Sequence, residues 1–497
     1  MRSSSRRFRF AQWVSVGVVA IGGGAWACSS SSSSGGGGNA DAGGGDGTFT
    51  FAPQGCAYSV YVPVTRAFSD FASDDATGSG DATPIRVRLG LGGGTTLGKS
   101  GYADPSTSAA FVWETAGQTH GAKVKLGADP SSLTDVHSGF TFTMPPPSLG
   151  LGANEPSTFM HEAHVCGLTP GKTYYYQVGG GAAGAETWSA TQSFTTVPDA
   201  GAITVGILGD ARDKVDVWQA AQRRMRDRAV NLQVTTGDLV FTGTQQSLYD
   251  KWLGAIWKDP ADPNRFVTLG QQMMVMLAGN HENDAARFFG AFSVPGTGPY
   301  AETFASFDAG NTHFIVLDDQ PLALLADGDH AKTMLAWLEG DLARADGNRA
   351  KVPFVLVVHH RGLYTTSNHA TDSDVLDLRA TLAPMYDAHH VDVVVNGHDH
   401  AYERSKTLRA GSDPRGAPSM VAAGQGTVYV VNAGAGADPY SVGAADFIEK
   451  SATFGGSTGF DGVYGVLTLD ARKLTLTTYG LSASGTDPVI DTLALAK

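Results

Sequence analysis

Between Phe49 and Val197, apolar and polar residues alternate with a period of two in short runs broken by Gly, Pro, Ser and Asp. The runs at 85–91, 109–117, 122–127, 140–144, 159–168, 172–180 and 190–197 predict about seven strands, because that period gives a strand two distinct faces. Their count and spacing predict an all-β, two-sheet sandwich as the N-terminal domain, over 49–198. His161 and His164 lie three apart in one run, hence on opposite faces, which argues against a shared metal ion.

After the turn Pro198-Asp199-Ala200-Gly201 the pattern changes. Continuous apolar runs at 203–210, 232–238, 273–280, 313–319, 354–360 and 393–398 have the look of strands covered on both faces. Between them, helical periodicity appears at 214–230, where Val217, Ala220, Ala221, Met225 and Ala229 share a side, and again near 331–346 and 373–388. The chain ends in further β runs. Residues 202–497 are therefore expected to form an α/β domain of two mixed sheets flanked by helices.

The net charge of -13 argues against binding nucleic acid or an anionic membrane through a basic face, so an anionic substrate must be held by local cations. The N-terminus reads as an address. Arg2, Arg6, Arg7 and Arg9 precede an apolar stretch from Phe10 to Ile21, and Ala25-Trp26-Ala27-Cys28 carries small residues before a cysteine. Residues 1–28 are thus expected to be a lipoprotein-type signal with Cys28 acylated in the cell envelope, ordinary secretion being the alternative. The Ser/Gly-rich 29–48 is expected to be a flexible tether. Cys56 and Cys166 would pair in such an oxidising compartment, or remain as two buried thiols.

The chemistry collects where strands end. Asp210, Asp238, Asn280, His359, His398 and His400 each follow one, and α/β sheets place their ligands beyond the carboxyl ends of strands. Oxygen and nitrogen donors without thiolate suit Fe, Zn, Mn or Mg. Two ions are expected, one on Asp210, Asp238 and His400, the other on Asp238, Asn280, His359 and His398. Such a pair, roughly 3.5–4 Å apart, turns a shared water into a hydroxide nucleophile for attack at phosphorus. His281, beside Asn280, would donate a proton to the leaving group.

The segments Gly209-Asp210, Gly237-Asp238, GNHE at 279–282, VVHH at 357–360 and GHDHAYERS at 397–405 resemble the calcineurin-like metallophosphoesterase superfamily. The AYER extension is similar to purple acid phosphatases, and VWET at 112–115 with HVCGLTPGKTYYYQVG at 164–179 is similar to their N-terminal fibronectin type III-like domain. The resemblance implies the ligand set above, His281 as the catalytic histidine, and phosphomonoester hydrolysis, with diesters and nucleotides open. Two positions depart from it. Phe241 stands where purple acid phosphatases have a tyrosinate ligand, and Arg212 stands where many relatives have a ligand histidine. A guanidinium cannot coordinate a metal; Arg212 would contact substrate phosphate or form a structural ion pair. Asp213 is either a substitute donor or the cap of the following helix. His360 and Tyr402 are further candidate substrate contacts. The expected partner is a phosphorylated small molecule, and the membrane only through a lipid anchor. The rival reading is a non-catalytic surface-binding lipoprotein with a decayed site.

Overall fold

In the computed structural model, described residues are 40–42, 48–63, 68–73, 80–93, 104–181, 184–260, 262–283, 285–296, 300–324, 328–483 and 485–497. The expected signal at 1–28, with most of the expected tether, lies outside them. Of that tether, Ala40–Ala42 pairs antiparallel with Thr48–Phe51, Ala40 opposite Phe51. Residues 37–497 form one compact unit.

The period-two runs fold into two facing layers. One contains Ile85–Gly90, Ser108–Thr115, Thr158–Cys166, Phe140–Met144 and Ser69–Ala72; the other contains Thr187–Trp188, Thr173–Gly180, Lys123–Gly127, Asp135–Ser138 and Gln192–Thr195. Val87, Leu89, Phe111 and Trp113 fill the space between them with Val124 and Tyr176. Cys56 and Cys166 form a disulfide. His161 stacks on Trp113 and meets Thr115, while His164 pairs with Glu162 at 2.7 Å, so the two histidines have separate surroundings.

Beyond residue 202 two mixed sheets pack face to face. Ile203–Leu208, Leu232–Thr235 and Met273–Val275 run parallel in the first, followed outward by Gly462–Asp470, Lys473–Leu481 and Val489–Ala496. Thr312–Leu317, Phe354–His359, Val393–Asn396 and Thr427–Asn432 run parallel in the second. Helices Val215–Asp227 and Gln246–Trp257 cover the first sheet through Trp218, Met225 and Trp252. Asp329–Asn348 and Ser373–Ala388 cover the second through Met334, Leu338 and Leu382. Strands buried on both faces account for the continuous apolar runs; each enclosed Val or Leu contributes roughly 1.5–3 kcal/mol.

The two halves share one sheet. Ile85–Gly90 lies beside Met273–Val275 in parallel, Leu89 opposite Met273, so the first β layer and the first α/β sheet are a single run of eleven strands. Among the described residues no helix is long and apolar enough to cross a membrane.

Candidate metal centre

The parallel register brings the strand ends together. The Asp210 and Ala211 amides donate to the carbonyls of Gly237 and Asp238, and the Gly397 amide donates to that of His360. Asp210, Asp238 and His398 hold left-handed backbone, with φ of 54°, 53° and 70°. Such strain in non-glycine residues gathers at functional sites. The donors follow glycines because the loops touch: a Cβ on Gly279 would stand 2.2 Å from Asp238 Oδ1, and one on Gly397 2.5 Å from Asp210 Oδ2.

Asp210, Asp238 and His360 each bring one ligand atom within 4.8 Å of the others. His360 Nδ1–H donates to the Thr236 carbonyl at 2.7 Å, leaving the Nε2 lone pair facing Asn280 Oδ1 at 2.8 Å and Asp238 Oδ1 at 3.4 Å. His398 Nδ1 reaches the same Asn280 oxygen at 2.8 Å. Burial keeps His360 and His398 below the usual histidine range, hence neutral. The His360 Nε2 lone pair, the Asn280 oxygen and the Asp238 carboxylate thus face one another, an arrangement that a cation between them would reconcile. Burial and then the Asp238 charge push Asp210 well above the carboxylate range, and its Oδ2 is buried without a hydrogen-bond partner. Asp238, Asn280, His360 and His398 therefore fit a metal ion of the oxygen-nitrogen class.

The cluster contains His360 where the sequence pointed to His359. Along Phe354–His359 the odd positions Val355 and Val357 pack under the helices while Leu356 and Val358 face the other sheet. His359 continues the odd series: its ring faces Tyr386, and Nδ1 lies 3.2 Å from both Asp319 and Asn396. His360 therefore does not serve as a substrate contact. Tyr402 also fails in that role, being buried with its hydroxyl donating to Asp491 at 2.7 Å.

Around the rim, His281 Nδ1–H donates to the Phe241 carbonyl at 2.8 Å, directing Nε2 to within 3.9 Å of Asp238 Oδ2. His400 Nδ1–H donates to the Asp438 carbonyl at 2.7 Å, leaving Nε2 3.7 Å from Asp210 Oδ1; burial and then Arg212 lower its pKa to about 4. Arg212 lies between, 3.5 Å from Asp238 and 3.4 Å from His400. Asp213 neither caps the helix, which starts without a side-chain cap, nor turns inward: it accepts the Asp438 amide at 3.0 Å.

Three residues were missed. Glu282 accepts the amides of Asp238, Val240 and Gly279 at 3.0, 3.1 and 2.7 Å, binding two donor loops to each other. Burial and then Asp238 push its pKa up to about 8. GNHE was the signal for it. His369, its ring 4.0 Å from that of His398, and Tyr440, stacked 4.0 Å over His400, line the mouth from loops with no strand-end signal.

Residues 100–196 match the purple acid phosphatase N-terminal domain and 203–402 the calcineurin-like phosphoesterases. Purple acid phosphatase 22 of Arabidopsis thaliana is 28% identical over 280 residues, 54% of this chain and 58% of that protein. Acid phosphatase type 7 of Homo sapiens is 25% identical over 329 residues, 61% of this chain and 69% of that protein. The match thus spans less than two thirds of the plant relative. A purple acid phosphatase structure from yellow lupin (Lupinus luteus) seeds has the same fold, with a TM-score of 0.64 at 17% identity, covering 84% of this chain and 74% of that one.

Proposed function

The chain belongs to the calcineurin-like metallophosphoesterases and carries the N-terminal domain of purple acid phosphatases, and from that premise we propose that it is a metal-dependent hydrolase of phosphate esters, with phosphomonoesters preferred. The observation that carries this reading is the gathering of donor atoms from Asp238, Asn280, His360 and His398, with the His360 Nε2 lone pair facing the Asn280 and Asp238 oxygens. A bound ion supplies Lewis acidity at a phosphoryl oxygen.

The chain's own groups do the rest. The Arg212 guanidinium places positive charge beside the carboxylates, where it attracts and orients a phosphoryl group. His281 holds its ring by the Nδ1–H bond to Phe241, so Nε2 faces the rim, where the doubly protonated ring would donate its second proton to a leaving oxygen. His369 and Tyr440 wall the mouth with ring faces.

We also propose that the protein is exported and anchored through Cys28. The basic and apolar N-terminus supports this, as does the Cys56–Cys166 disulfide, which suits an oxidising compartment.

Hydrolysis of p-nitrophenyl phosphate and bis-p-nitrophenyl phosphate after supplying Fe, Zn or Mn tests the function. Faster turnover of the monoester, lost in Asp238→Ala, is the expected result. Preference for the diester refutes the monoesterase part, and equal turnover by Asp238→Ala refutes the whole reading.

A further inference from the structure

The geometry points to a site for a single metal ion: we propose that the guanidinium of Arg212 stands where a second ion would bind. This rests on the phosphoesterase reading and sharpens it. The second position offers Asp210, Asp238 and His400. His400 has committed Nδ1–H to the Asp438 carbonyl, so Nε2 is its remaining lone pair, and that lone pair faces Arg212 Nη2 at 3.4 Å. On the neighbouring side Arg212 Nε faces Asp238 Oδ2 at 3.5 Å. A lone pair that accepts from a guanidinium does not also coordinate a metal.

Asp238 is thereby divided between two cations. Oδ1 faces His360 Nε2 and the ion position, while Oδ2 faces Arg212. The arginine is held in place from several sides. Phe241 lies 5.5 Å over the guanidinium, the Tyr440 hydroxyl is 3.5 Å from Nη2, and Asp213 is 3.6 Å from Nη1, leaving the side chain 10% exposed. Phe241 offers no donor atom, and Asp213 has turned to the Asp438 amide. A fixed positive charge at the contact distances of Asp238 and His400 also repels a metal ion placed there. The two departures from the family pattern then have one cause: a tethered cation has replaced an exchangeable one, and the tyrosinate that would have bound it is gone.

The test is the number of ions per chain, by elemental analysis of full-length protein stripped with chelator and reloaded with Fe, Zn or Mn. One ion is expected in wild type, none in His360→Ala, and two in Arg212→Ala/Phe241→Tyr, which with iron gains a tyrosinate charge-transfer band. Two ions in wild type overturn the proposal and leave the phosphoesterase reading intact. A double variant still limited to one ion shows that Arg212 does not exclude the second, and also overturns it. Wild type that takes up no ion from any of the three metals removes the metal-centre reading itself.

Discussion

His359 and His360 are chemically identical neighbours with opposite fates, because consecutive residues at a strand end point to opposite faces. His360→Ala is expected to abolish metal uptake and lower kcat/KM by more than about 100-fold, since even the groups supporting a ligand are each worth about 10–100-fold. His359→Ala should retain the ion and instead lower thermal stability by roughly 1–3 kcal/mol, through loss of the buried imidazole and its contacts to Asp319 and Asn396, which keep Arg361 and the carbonyl of residue 359 as partners. Elemental analysis and melting curves on the two variants separate these outcomes; metal loss from His359→Ala alone would reverse the assignment. Glu282→Ala orphans three buried amides and should lose both stability and ion affinity, whereas Glu282→Gln, which keeps acceptors on one side, should lose less of each. At this scale most of the centre was legible. Asp210, Asp238, Asn280 and His398 each follow a glycine at the end of an apolar run. The cluster takes the second histidine after the apolar run and not the first, and parity along FVLVVHH distinguishes the pair. Tyr402 was misplaced for a similar reason: it begins the strand Tyr402–Arg409, whose alternation turns it into the core.

Strands and helices carry a pH dependence of their own. His313, on Thr312–Leu317, donates to Asp308 and to Asp341 of the covering helix Asp329–Asn348, at 2.6 and 2.9 Å. Burial opposes its charge, yet those hydrogen bonds and carboxylates outweigh burial and raise its pKa to about 9. A raised histidine pKa stabilises the fold fully below the ordinary value near 6.5 and loses that contribution as pH climbs through 9. Stability should therefore fall by on the order of 3 kcal/mol between pH 6.5 and 9. Denaturant unfolding across that window checks it, and His313→Gln should flatten the slope there; an unchanged slope would show the charge lies elsewhere. The elements themselves were well marked in the chain, since period two, continuous apolar runs and helical periodicity are separate signals. Which histidine a carboxylate on another element meets was not, because that depends on the register between elements.

At the scale of the whole molecule the shared eleven-strand sheet is what the chain concealed. Ile85–Gly90 and Met273–Val275 are short apolar strands far apart in sequence, and apolar pattern alone specifies burial, not a partner. Calorimetry of the full chain should show one transition across both halves, whereas independent melting of residues 49–198 would contradict the joined sheet. Cys56 and Cys166 lie 110 residues apart, so their bond should stabilise by about 4–5 kcal/mol in the chain-entropy model. A clear drop in melting temperature on Cys56→Ser/Cys166→Ser is expected, and its absence would show that the closed loop is already ordered without the bond. The most direct test of the metal-dependent phosphoesterase reading is p-nitrophenyl phosphate turnover by chelator-stripped protein during titration with Fe, Zn or Mn. Turnover should be absent at the start and rise to a plateau at one equivalent per chain in wild type, with no rise in His360→Ala. Undiminished turnover by the stripped protein, or none at any metal load, would contradict it.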